Sequence, residues 1–189
     1  MPLVFRPTAL VRADLEARFP NLAGTKWAIR SPFNDTYQCI AWAACDTTRK
    51  WWPIVHPPEA YWPPTAPMEE TVDSFVQAFA TLGYKPCKDV SFEFGYQKVA
   101  IYADDEMTTT HMARQHFFGR GWLSKLGNLE DILHRQLRDV EGDTAPASQE
   151  YGKVVQVLKR SWWVAARLGL FRGCLASFKF WFYRVFHNY

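Results

Sequence analysis

The repeat of the apolar residues changes once along this chain, and that change limits the fold more than any other feature. Over EETVDSFVQAFATLG, the residues Val72, Phe75, Val76, Phe79 and Leu82 recur at helical spacing, with acids in the first turn and Gly83 as the stop. Beyond that point the repeat falls to two. FEFGYQKVAIYA reads as a strand, Asp104 to Met107 as a turn, TTTHMARQHFF as a strand, GRG as a turn and WLSKL as a strand. NLEDILHRQLRDV reads as a helix or helical turn, EGDTAPAS as a polar loop, and YGKVVQVLKR as a last strand.

Ahead of the change lie two short helices. TALVRADLEAR (residues 8–18) stops before Pro20, because proline disfavours helical geometry in its predecessor. TYQCIAWAA (residues 36–44) follows Asp35, and either Asp35 or Thr36 can cap its open amides. Helices first, then consecutive strands on tight turns, predict an α+β domain with N-terminal helices and an antiparallel sheet. The stretch from 46 to 67 is rich in proline and carries Trp51, Trp52, Tyr61 and Trp62. It reads as an ordered, stiff loop, since linkers are rarely so apolar.

A length of 189 residues suits one domain with a real core, here placed at residues 1–160, plus a C-terminal extension at 161–189. The net charge of +3 is too small to argue for nucleic acid. Four cysteines without a C-x-x-C pair point away from a disulfide scaffold and toward a reduced, cytoplasmic setting. No run of about 20 uncharged apolar residues predicts a membrane span. The extension contains Arg167, Arg172, Lys179 and Arg184 and no acid. It reads either as a helical hairpin packed on the domain or as an aromatic-basic surface helix touching a membrane or a protein.

Cys39 is the residue with chemical interest. A helix start favours the thiolate, because unpaired amides and the helix dipole stabilise the anion. A nucleophilic cysteine needs a base nearby in space, and His111 on its strand is the best placed. The base needs an orienting group, for which Ser124, Lys125, Asp131 and His134 are the candidates. Asn34 and Gln38 are placed to offer amides to an oxyanion. Trp51, Trp52 and Trp62 are expected as lid packing, with groove lining as the alternative. Neither a metal nor an organic cofactor is implied.

The runs N-x-x-Y-x-C-I-A-W-A, K-V-A-I-Y, T-H-M-A-R-Q and W-L-S-K-L-G with D-I-L-H resemble an uncharacterised bacterial family of unknown function. The order of elements is similar to the papain-like superfamily in its compact NlpC/P60 and CHAP forms. That resemblance implies Cys39 as nucleophile, His111 as general base, Ser124 near the third position, and Asn34 or Gln38 near the oxyanion. The expected activity is a cysteine hydrolase or acyltransferase on an amide or related acyl bond, with an acyl or peptide substrate. The competing expectation is a non-catalytic ligand- or partner-binding module on the same fold, membrane-associated through its tail.

Overall fold

A computed structural model describes residues 8–54, 60–142 and 151–169. The elements in chain order are α1 (Thr8–Arg18), a 3-10 turn (Pro20–Leu22), β1 (Ala28–Ser31), α2 (Cys39–Ala43), α3 (Val72–Ala80) and β2 (Lys85–Cys87). They continue through β3 (Tyr96–Ala103), β4 (Thr109–Gln115), β5 (Trp122–Lys125), β6 (Asp131–His134), a second 3-10 turn (Leu137–Val140), β7 (Lys153–Ser161) and α4 (Trp162–Arg167). The protein is α+β, and its seven strands form one sheet in the order β1-β6-β5-β4-β3-β7-β2. Every pairing between these strands is antiparallel.

The sheet is covered on both sides. Val99, Ile101, Met112, Leu123 and Leu158 point to one face and pack against Ile40 and Trp42 of α2 and Phe75 and Phe79 of α3. Ala100, Tyr102, Ala113, Ile132 and Val157 point to the other and meet Val11, Leu15, Phe19, Leu22 and Trp27. Side chains alternate along a strand, so residue parity alone assigns each group to a layer. Central strands buried on both faces lose the polar half of their alternation, which is why K-V-A-I-Y-A reads as nearly continuous apolar sequence.

α3 forms where its periodicity predicts. Thr71 caps it, its Oγ1 accepting from the amide of Ser74 at 3.4 Å. Gly83 follows at φ +82°, and a Cβ there would fall 2.3 Å from Val164 Cγ1, so both backbone conformation and packing require glycine. The tryptophan loop is core rather than groove. Trp51 stacks edge-on with Tyr61 at 4.8 Å, and Trp62 meets Phe75 at 5.0 Å. Trp52 also meets Phe75, at 5.7 Å, and donates its indole N–H to Glu70 Oε1.

Three expectations need correction. Of the helix or helical turn expected over 128–140, only a 3-10 turn at Leu137–Val140 forms, and it follows a strand, β6, because Asp131–His134 pairs with both β5 and β1. Pairing on two sides outweighs a local helical preference in so short an apolar run. β1 and β2 are absent from the sequence reading, being only four and three residues long. The second helix begins at Cys39, not at residue 36, and its N-cap is Gln38 with no side-chain cap. Of the extension, only α4 and the two residues after it are described; the rest of 161–189 lies outside the described residues.

Phe75 is fully buried between the loop and the sheet. Phe75→Ala is expected to cost about 3–5 kcal/mol, read as a lower urea midpoint with little change in slope.

Candidate functional site

Cys39 lies on the α2 face of the sheet, in the cluster containing Met112. Its sulfur receives backbone amides from Met112, Ile40 and Cys39 itself, and Lys125 adds a positive charge nearby. All of these favour the thiolate. Burial opposes them and wins, pushing the thiol up to about 11. All five residues of CIAWA are buried, so this helix start offers its dipole to a site without water. Cys39 and Cys87 carry free thiols, whereas Cys45 is disulfide-bonded. That bond departs from the expected reduced set; spacing along a sequence reports only local cysteine pairs.

His111 is found on the other face. It pairs across the ladder with Tyr102, while its neighbour Met112 pairs with Ile101. Tyr102 belongs to the α1-side core and Met112 to the α2-side core. The sheet therefore stands between the imidazole and the Cys39 sulfur. The expected nucleophile and base are not brought together, because adjacent strand residues point to opposite faces.

What the structure does bring together is His111, Ser124 and His134, all with zero exposure. His111 Nε2 is 3.0 Å from Ser124 Oγ, which is 2.9 Å from His134 Nε2. His134 Nδ1 is 2.8 Å from the carbonyl oxygen of Gln136. A carbonyl only accepts, so Nδ1 of His134 carries the proton. With both rings neutral, His134 Nε2 accepts from the Ser124 hydroxyl, and the serine oxygen accepts from His111 Nε2–H. The remaining atom, His111 Nδ1, is a buried lone pair without a hydrogen-bond partner. Tyr151 stacks on this ring at 3.9 Å and 10°. Burial drives both imidazoles down, His134 to about 4, and the neighbouring His134 lowers His111 further. This chain is a neutral polar strut with no route to solvent for its serine.

The other expected residues have structural partners. Asn34 Oδ1 accepts from the amide of Thr36 at 2.8 Å, closing a local turn. Gln38 grips the backbone of Trp51, accepting its N–H at 3.1 Å and donating to its carbonyl. Gln38 thereby ties the tryptophan loop to α2, and the Asn34 oxygen is committed to its own turn.

Sequence reasoning missed a buried polar layer on the α2 face. The Tyr37 hydroxyl donates to Asp131 Oδ2 at 3.0 Å, and burial raises the affinity of both groups for their protons. Arg114 lies over Trp42 at 4.4 Å and donates to Cys45 Sγ at 2.9 Å, its guanidinium drawn down to about 10 by burial. Arg160 lies over Tyr84 and donates to Leu82 O and Gln97 Oε1. Nothing in the spacing of these residues announces burial of their charges.

The two ends of the sheet differ in charge. At one end β3 begins, β4 ends, β5 begins, β6 ends and β7 ends, as the pairings Gln115 with Trp122, Trp122 with His134 and Tyr96 with Ser161 require. Lys26, Arg120, Arg135, Arg138 and Arg167 lie exposed around this end. Its loop acids are engaged: Glu93 with Lys159 at 2.9 Å and Asp89 with Lys98 at 3.2 Å. At the opposite end sit Asp104, Asp105 and Glu106 between β3 and β4, Glu130 before β6, and Asp35 after β1. Glu70 joins them, its carbonyl accepting from the amide of Thr109 at 2.7 Å.

The basic end also carries exposed rings. Trp162 stacks on Phe117 at 4.4 Å and meets Phe94 edge-on at 5.1 Å. Trp163 is 82% exposed and Phe94 81%. Single exposed apolar residues are ordinary; two aromatics of this exposure beside one ring stack are not.

Two outcomes follow from the buried groups. Iodoacetamide is expected to label Cys87 well before Cys39 at neutral pH, and His111→Ala is expected to leave the Cys39 rate unchanged; mass spectrometry of the timed reaction reads both. Folding stability is expected to fall as pH drops from about 6.5 to about 4, because the unfolded histidine takes a proton that the folded His134 refuses. The loss from His134 is on the order of 3 kcal/mol, seen in urea midpoints, and His134→Gln flattens the profile.

No curated protein and no solved structure matches the chain. A family model matches residues 28–159, from β1 almost to the end of β7, which takes in all seven strands with α2 and α3. The chain belongs to the family described as a domain of unknown function, DUF7689.

Proposed function

We propose that the chain is a non-catalytic binding module that attaches to an anionic membrane surface by the basic, aromatic end of its sheet. The observation that carries this reading is the joint placement of Trp163 and Phe94, both more than four-fifths exposed, on the end where Arg120, Arg135 and Arg167 gather. Tryptophan and phenylalanine gain by entering the headgroup boundary, and each cation near an anionic surface adds about 1 kcal/mol. Of the acids at this end, Asp89 and Glu93 are held by Lys98 and Lys159, and Asp139 is buried and bonded to the amides of Arg135 and Gln136. No Asp or Glu follows Glu150 in the sequence, so the extension adds only positive charge. No helix among the described residues is long and apolar enough to cross a bilayer, and the contact proposed is interfacial.

The competing reading, a Cys39–His111 hydrolase on a papain-like scaffold acting on an acyl or peptide substrate, needs a sulfur within hydrogen-bond reach of an imidazole. The geometry supplies no such contact, and the thiol is held protonated by burial.

Flotation with phosphatidylcholine vesicles, with and without phosphatidylserine, tests the membrane reading. The protein is expected to float with the anionic vesicles and much less with the neutral ones. Trp163→Ser is expected to weaken the partition by about tenfold, the loss of one interfacial aromatic. Sedimentation with neither vesicle overturns the membrane reading and leaves the aromatic face to a protein partner.

A further inference from the structure

On the same end of the sheet, toward its β1–β6 edge, lies a basin of about 420 Å³ between the loop after the first 3-10 turn and the segment after β6. Lys26, Arg135 and Arg138 reach it from two sides, with Thr25 and Asn21 adding polar wall. None of the three cations takes part in an ion pair among the described residues. The one carboxylate in the lining, Asp139, is engaged, its Oδ2 accepting the amides of Arg135 at 2.9 Å and Gln136 at 2.8 Å. Those bonds fix the backbone that carries Arg135, and with the Asp139 carboxylate counted against the three cations the lining keeps a net charge of +2. Asn21 donates to the carbonyl of Glu141 at 2.6 Å and pins the opposite wall. Thr25 donates to Leu22 O at 2.9 Å and keeps its lone pairs.

We infer that this basin is a binding site for a phosphomonoester. A lining of net charge +2 best matches a compact dianion, and a phosphomonoester carries a charge near −1.5 to −2 at neutral pH. Its oxygens suit the planar forks of Arg135 and Arg138, each able to donate two parallel N–H bonds. A carboxylate ligand offers one charge and would leave one positive charge uncompensated. The site shares Arg135 with the proposed membrane face, and a phosphate headgroup at this end of the sheet would serve both.

Calorimetric titration of the full chain with glycerol 3-phosphate, with glycerol as the neutral control, tests the inference. Binding of the phosphate but not of glycerol is expected, with at least about a tenfold loss in the double variant Arg135→Gln, Arg138→Gln. These side chains are exposed, so the variant is expected to keep the wild-type thermal midpoint. Vesicles containing phosphatidic acid, compared with phosphatidylserine vesicles of equal content, identify the source. A preference for phosphatidic acid that the double variant loses assigns the basin to a lipid headgroup. Glycerol 3-phosphate binding without that preference assigns it to a soluble phosphomonoester. Equal titrations of wild type and double variant, or no heat from either, overturn the inference. A wild type that floats with no vesicle yet still titrates with glycerol 3-phosphate rejects the membrane reading alone.

Discussion

The structure depends on the burial of both faces of one antiparallel sheet. β3 and β4 are covered by α2 and α3 on one side and by α1 on the other, so each residue's parity decides which layer it enters. That constraint separates Met112 from His111 and sends the Cys39 sulfur and the imidazole into different cores. It also keeps water from both groups. A helix start and a strand histidine are each chemically suggestive, but low-dielectric surroundings raise the cost of the charged forms that catalysis needs. For Cys39 the cost exceeds what three amides and a lysine return.

How much of this was legible in the sequence follows from where the information is local. α3 carries its own cap, periodicity and stop, and it forms as read. β3, β4 and β5 are set apart by tight turns and likewise form. β6 was not legible, because DILH becomes a strand only through partners such as Ser31 and Lys125, which pair with Asp131 from 100 and six residues away. The alternation in THMAR was visible and already placed His111 and Met112 on opposite faces. What it did not contain was the face on which the cysteine helix would pack. CIAWA has no polar side, and a helix apolar all round is a buried helix. Read that way, the five residues argue against an open thiol.

The same tertiary burial explains the polar groups that carry no chemistry. The His111–Ser124–His134 chain and the Tyr37–Asp131 pair satisfy most of their hydrogen bonds internally and sit where solvent does not reach. Such networks specify one arrangement of strands, since a shifted register would leave each member unpaired. Function then falls to the ends of the sheet, where loops are free to differ. One end concentrates acids and the other concentrates cations, exposed rings and, toward the β1–β6 edge, the basin. A field of this kind orients the molecule toward an anionic surface before any ring makes contact.

Orientation at the surface is therefore the central claim, and a nitroxide placed at each end measures it. In a Cys87→Ser background, Phe94→Cys marks the basic end and Asp105→Cys the acidic end. With phosphatidylserine vesicles, power saturation is expected to show the label at 94 relaxed by oxygen and shielded from an aqueous nickel complex, while the label at 105 stays open to the nickel complex. Two labels equally open to water, or the one at 105 lying deeper, would contradict the account.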